Sequence, residues 1–153
     1  MNQRYIAKLY AVFLLLLLYG CTPLIGPHSP AAYENATSLK AEVLTVLSKA
    51  NTPYADNEAA IDVIKLKAEM AYEFVKGVPG SQQSAKQWEI LKDPEGDLLG
   101  QFFKRWQQRG SLSDILIQEY KALAADAFDE IICLEANKKE ATDCIVRGAP
   151  NNG

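Results

Sequence analysis

The chain has 153 residues, of which 16 are basic and 19 acidic, and it contains a single histidine. This length suits one domain with its own apolar core. The acidic balance disfavours nucleic-acid binding, which depends on a basic surface, and one histidine leaves little scope for histidine-based metal binding or catalysis.

The first 21 residues have the order of a secretory signal. Arg4 and Lys8 precede an apolar run over residues 9–19 without acidic side chains, and a small residue follows at the cleavage position. The run ends in Leu-Tyr-Gly-Cys at residues 18–21, which resembles the lipobox of bacterial lipoproteins. That resemblance implies that residues 1–20 are removed and that Cys21 becomes the lipidated N-terminus. Two or more acyl chains anchor a protein stably to a membrane.

The residue after this cysteine bears on which membrane is used. Thr22 stands where an Asp would resemble the inner-membrane retention signal of enteric lipoproteins. In a cell with two membranes, the resemblance therefore implies the outer membrane, with the domain on its periplasmic face. One alternative is an uncleaved anchor, but a bilayer span takes about 20 apolar residues and Thr22 and Pro23 interrupt this run. A freely secreted form is the other alternative.

A tether is predicted behind the lipid. Residues 21–31 hold three prolines and a glycine, a composition that favours a semi-extended chain of about 3 Å per residue. His28 lies in this tether, where we expect a solvated side chain. Residues 32–147 form the predicted helical domain, and residues 148–153 are predicted to be a disordered tail.

The domain is predicted to be all-α, a small bundle of about five helices. Apolar residues recur at helical spacing over residues 32–50 and 56–76, which predicts the first two helices. Asp56 is the expected N-cap of the second. The apolar residues of that helix cover about 200° of the helical wheel. We therefore expect it to have neighbours on several sides and to lie at the centre of the fold.

A shorter third helix is predicted after Ser81, and the remaining helices follow Asp93-Pro94. This pair predicts the start of the fourth helix, because Asp is a good N-cap and Pro suits the first helical position. Phe102, Phe103 and Trp106 fall on one narrow face of that helix, where we expect them in the core. An exposed anchor for a partner is the alternative. The last long helix is predicted over residues 112–136.

Two cysteines remain once Cys21 carries lipid, namely Cys133 and Cys144. An exported chain meets an oxidising compartment, so we expect a C-terminal disulfide between them. A straight helix would separate their Cα atoms by about 16 Å, whereas bridged Cα atoms lie within about 7 Å. The chain therefore has to reverse near Asn137. Closing so short a loop stabilises a domain by about 3 kcal/mol.

No catalytic motif stands out in the sequence. It lacks a Gly-rich phosphate loop, a His-x-x-x-His pair and a Gly-x-Ser-x-Gly elbow, so we expect no enzyme activity, no metal and no cofactor. Lys67 falls within the apolar arc of the second helix. We expect its ammonium to reach water or to pair with a carboxylate; the alternative places it at the rim of a groove between helices.

The acidic residues of the last helix are the other candidate site. Glu119, Asp126, Asp129 and Glu130 cluster on its polar side, which indicates either a solvated face or a surface for a basic partner protein. We therefore expect a lipid-anchored envelope protein acting as a non-enzymatic interaction module, either an accessory subunit or a protective, immunity-type protein. Its partner would be another envelope protein, with no role for nucleic acid. The alternatives are an apolar-ligand carrier and a cell-wall enzyme.

The lipid anchor is directly testable. Metabolic labelling with a radiolabelled fatty acid should mark the wild-type chain and leave Cys21→Ala unlabelled, since the thiol is the acceptor that the lipobox resemblance implies. Equal labelling of both chains would contradict the assignment.

Overall fold

The computed structural model describes residues 28–137. Within that range the regular structure is helical and contains no strand. There is a short 3-10 turn at Tyr54–Asp56 and there are five α-helices: α1 Pro30–Leu47, α2 Glu58–Lys76, α3 Gln82–Lys92, α4 Leu99–Arg109 and α5 Asp114–Asn137. The predicted all-α class and five-helix count are confirmed for these residues. The predicted signal peptide, the predicted lipidation site Cys21, Cys144 of the predicted disulfide and the predicted C-terminal tail lie outside the described residues.

Helices α1 and α5 lie antiparallel along most of their length. Three polar contacts mark this register from one end of the pair to the other: His28 Nδ1 donates to the Glu135 carbonyl at 2.6 Å, Lys40 Nζ lies 2.6 Å from Asp129 Oδ1, and Lys121 Nζ donates to Ser48 Oγ at 2.7 Å. His28 is exposed, yet its hydrogen bond ties the predicted tether to the last helix. We expected the His28 side chain to contact only solvent, whereas it also contacts the folded domain.

The beginning of α1 is well capped. The Ser29 hydroxyl accepts a hydrogen bond from the Ala32 amide at 3.2 Å, and Pro30 occupies the first turn. A serine cap satisfies an amide that the helix itself leaves unpaired, and proline loses nothing there because that amide has no helical acceptor. The helix therefore starts two residues before the predicted boundary.

The core contains aromatic rings from several elements. Trp88 lies edge-on to Phe128, with ring centroids 5.8 Å apart. Trp106 lies edge-on to Tyr54 at 5.7 Å, and its Nε1–H donates to the Thr52 carbonyl at 3.0 Å. Edge-to-face pairs contribute about 0.5–1.5 kcal/mol each beyond the area they bury. The aromatic face of α4 is buried, as the sequence predicts.

Helix α2 does not lie at the centre of the fold, contrary to the expectation from its wide apolar arc. One side is buried against α1 and α3, through Ile61, Ile64, Ala68, Ala71 and Val75. The opposite side is apolar as well but faces solvent. The arc is wide because α2 carries two apolar faces, and its own chain covers only one of them.

The predicted start of the fourth helix at Pro94 is wrong, since α4 begins at Leu99. The Asp93 carboxylate accepts from the Glu95 amide at 2.9 Å, and the Asp93 carbonyl accepts from the Gly96 amide at 3.2 Å. Asp93 therefore stabilises a turn, because short polar side chains compete with the helix for local amides. The expected cap Asp56 instead belongs to the 3-10 turn, and α2 starts two residues later.

Helix α4 can pack closely on the end of α3 because of Gly100. A Cβ atom at this position would lie 2.3 Å from the Lys92 carbonyl oxygen. That distance is a steric clash, because it is well below a carbon–oxygen van der Waals contact. Any side chain at position 100 would push α4 away from α3 and shift the buried aromatic residues that α4 carries. The close approach makes glycine the residue that fits.

Trp106 is expected to stabilise the fold strongly. Trp106→Ala removes a fully buried ring and leaves the Thr52 carbonyl without its donor. Truncating a buried aromatic residue costs about 3–5 kcal/mol, which corresponds to a fall in the thermal midpoint of about 10–20 °C for a domain of this size. Thermal unfolding followed by circular dichroism measures this change.

Ile115→Ala is the matched control, because Ile115 is 84% exposed. Its midpoint should stay close to that of the wild type, since most surface substitutions change stability by about 0.5 kcal/mol or less. A wild-type midpoint for Trp106→Ala would refute the core assignment.

Candidate interaction surface

Four large apolar side chains form an exposed line on the outer side of α2. The exposed fractions are 48% for Val63, 61% for Leu66, 62% for Met70 and 41% for Phe74. Their spacing of three, four and four residues places them on one face of the helix. We call this line the α2 stripe. Scattered exposed apolar residues are ordinary, but a continuous line of them is typical of a contact surface.

Short side chains lie beside the stripe, on the neighbouring face of α1. Asn35, Ser38, Ala41 and Thr45 are all exposed, and we call this row the α1 shelf. Two clefts run between shelf and stripe, with volumes of about 420 Å³ and about 210 Å³. The first is lined mainly by apolar groups and lies beside Val63, and the second lies beside Met70. Shelf, clefts and stripe together make up the α1–α2 face.

An ion pair crosses this face and separates the two clefts. Lys67 Nζ lies 2.6 and 2.7 Å from the two carboxylate oxygens of Glu42, and their side chains are 45% and 39% exposed. Lys67 therefore lies at the outer edge of α2, where it pairs with a carboxylate and lines the smaller cleft. A role for Lys67 in binding a ligand stays a prediction. An exposed pair of this kind contributes about 1 kcal/mol or less to folding.

Further ion pairs border the stripe on the side away from α1. Lys76 donates to Glu73 at 2.9 Å, and this hydrogen bond raises the pKa of the Lys76 ammonium. Lys92 pairs with Glu69 at 2.9 Å and also lies over the Tyr72 ring. The charges along this border are matched within the domain. The α1–α2 face thus has an apolar middle and a polar border, which is the usual arrangement of a protein interface.

The partner surface predicted on the acidic residues of α5 stays a prediction. Glu119, Asp126 and Glu130 follow one another at helical spacing on one side of that helix. Glu119 and Asp126 are exposed on the outer side of α5, and Glu130 is half-buried. Asp129 instead pairs with Lys40 of α1 at 2.6 Å, so its charge is matched within the fold. Cys133 is half-buried on the same helix. The other predicted modification sites, Cys21 and Cys144, lie outside the described residues.

A third cleft, of about 430 Å³, lies between α2 and α4 and is bordered by Lys65, Lys92 and Lys104. Each ammonium already has a carboxylate neighbour: the three carboxylates belong to Asp62, Glu69 and Glu95. An anion entering this cleft would compete with those pairs. Matched lysines of this kind are typical of a solvated cleft rather than of an anion site.

Within residues 28–137, no three side chains of the metal-binding types gather into a group that could hold an ion. No helix in the same range has the length and apolar character needed to span a membrane. Comparison of the chain with family models, with curated proteins and with solved structures finds no match.

Several residues of the site were not found from the sequence. The members of the α2 stripe were recognised as apolar but assigned to the core, because periodicity does not tell a face covered by the chain from one left open. Glu42 gave no signal, since its partner Lys67 is distant in the chain. Outside this face, the full burial of Glu135 near the end of α5 was also not predicted.

Proposed function

We propose that this chain is a lipid-anchored envelope protein whose helical domain is a non-enzymatic protein-interaction module with the α1–α2 face as its contact surface. The observation that carries this proposal is the exposure of four aligned apolar side chains beside two clefts. Covering apolar surface is favourable by about 25 cal/mol per Å². Met70 at the middle of the stripe supports the proposal, because a flexible thioether adapts its shape to a partner.

The anchor and the location rest on the sequence before the described residues. A lipid on Cys21 and a short tether would hold the domain within a few nanometres of the membrane, at about 3 Å per tether residue. We place it on the periplasmic face of the outer membrane, as an accessory subunit or a protective, immunity-type protein. An envelope protein is the expected class of partner.

Catalysis and ligand carriage are less well supported. The sequence contains none of the common motifs that bring a nucleophile and its base together. The clefts of the α1–α2 face lie along the groove between two surface helices. A carrier of apolar ligands is expected to enclose most of its ligand. An open groove between two surface helices is better suited to contact with another protein.

We also propose that Cys133 and Cys144 are joined by a disulfide in the exported protein. Alkylation of freshly isolated protein, followed by reduction and peptide mapping, should find both cysteines protected before reduction. Substantial alkylation of either thiol in the native sample would disprove the bridge.

The contact surface is testable in living cells. A benzophenone side chain introduced at position 70 of the full chain should give a discrete crosslinked product under ultraviolet light, identified by mass spectrometry. The same group at position 115, on exposed α5, is the matched control and should give little product. Leu66→Asp should remove the product by placing a charge within the stripe.

The result that would overturn the proposed surface is the absence of a product at position 70, or equal products at positions 70 and 115. Circular dichroism of Leu66→Asp must match that of the wild type, which is expected because Leu66 is 61% exposed.

A further inference from the structure

We propose that the α1–α2 face is covered by the same face of a second copy of this chain, related by a two-fold axis that runs along the cleft between α1 and α2. This inference rests on the proposed function, because it names the partner of the proposed contact surface. Three observations lead to it: the shape of the face, its central ion pair and the position of the tether.

The first observation is that large and small side chains lie side by side on this face. The stripe on α2 and the shelf on α1 are one helix spacing apart, about 8–10 Å. A two-fold interface requires a surface that complements itself. Rotation about an axis along the cleft exchanges the two sides, so that the stripe of each copy meets the shelf of the other. Large side chains then pack against short ones at both places.

The other in-plane axis, perpendicular to the helices, gives a poorer match. It places stripe against stripe and shelf against shelf. The short side chains of Ser38, Ala41 and Thr45 would then face their own counterparts and leave space between the copies, while the large residues hold the backbones apart. Well-packed interfaces avoid such gaps because lost contacts forfeit dispersion energy.

The second observation is the ion pair at the middle of the face. Lys67 lies on the α2 side of the cleft and Glu42 on the α1 side, 2.6 Å apart. Rotation about the axis along the cleft brings each Lys67 opposite the partner copy's Glu42. The four groups then alternate in sign, so every charge gains a second opposite neighbour. The perpendicular axis would bring like charges together, which is unfavourable.

The third observation is the end at which the tether joins the domain. Residue 28 precedes α1 and lies at the end of the bundle marked by its bond to Glu135. An axis parallel to α1 leaves the tethers of both copies at the same end, so both anchors reach one membrane. The perpendicular axis would place the two tethers at opposite ends of the dimer.

The size of the face indicates a weak association. Two helices of about 27 Å lying side by side offer about 500 Å² in projection, less than the about 800 Å² per partner of a standard interface. Anchoring both copies in one membrane raises their effective concentration without any new contact. Pairing is therefore expected on the membrane more than in dilute solution.

Charge exchange across the cleft tests this geometry. Two differently tagged full chains are expressed together, one of them with benzophenone at position 70, and the crosslinked dimer is measured in membranes. Two chains that are unchanged at positions 42 and 67 should give a crosslinked dimer that carries both tags. When both chains carry Lys67→Glu, or both carry Glu42→Lys, the amount of crosslinked dimer should fall about tenfold, since like charges then face one another.

The mixture of Lys67→Glu with Glu42→Lys should restore the dimer. In that mixture every charge at positions 42 and 67 faces an opposite charge of the other copy, although neither chain regains its own pair. Recovery therefore reports contact between copies rather than stability within one. The matched control is Lys86→Glu mixed with Glu89→Lys, which alters an exposed pair on α3 with a distance of 2.8 Å and should change nothing, singly or mixed.

Failure of the mixture to restore the dimer would overturn the proposed two-fold arrangement. A crosslinked product at position 70 that contains a different protein would overturn the second copy as partner and leave the proposed interaction module standing. The absence of any product would overturn both.

Discussion

Helices α1 and α5 bury each other's apolar sides from His28 beside Glu135 to Asn51, whose amide donates to Asp114 at the start of α5. Ala36, Val43, Leu47, Phe128 and Ile131 are completely buried, and they occupy the inward sides of these two helices. This antiparallel packing fixes the orientation of α1 about its own axis. Because one side of α1 is buried against α5 and another against α2, the short side chains of the shelf are left facing solvent.

The same constraint explains why α2 carries apolar residues on two opposite faces. Its inner face is held by α1 and α3, and Gly100 allows α4 to approach the end of α3 closely enough to complete the core behind them. Nothing in residues 28–137 lies over the outer face, where Leu66 and Met70 are about three-fifths exposed. A domain that stays folded with this face open has a core that does not depend on it, and that leaves the face available for contact.

The helices could be predicted because their apolar periodicity is strong, and the burial of Trp106 followed from the narrow face that it shares with Phe102. The errors came from two physical sources. Helix starts were misplaced where a polar side chain such as Asp93 satisfies a local turn, a competition that the residue type alone does not decide. The α2 stripe was assigned to the interior because a sequence pattern records how apolar a face is and carries no information on what covers it. The pairing of Lys67 with Glu42 required the fold itself.

The connection of the predicted tether to α1 has a mechanical consequence. Tension applied at residue 28 enters the domain through α1, the helix that also carries the shelf, and through the hydrogen bond from His28 to the end of α5. Force along the helix axis acts in shear on the seams with α2 and α5, where many side chains resist together, and does not peel the helices apart one by one. A domain anchored as proposed would therefore act as a short strut between the membrane and whatever α1 holds.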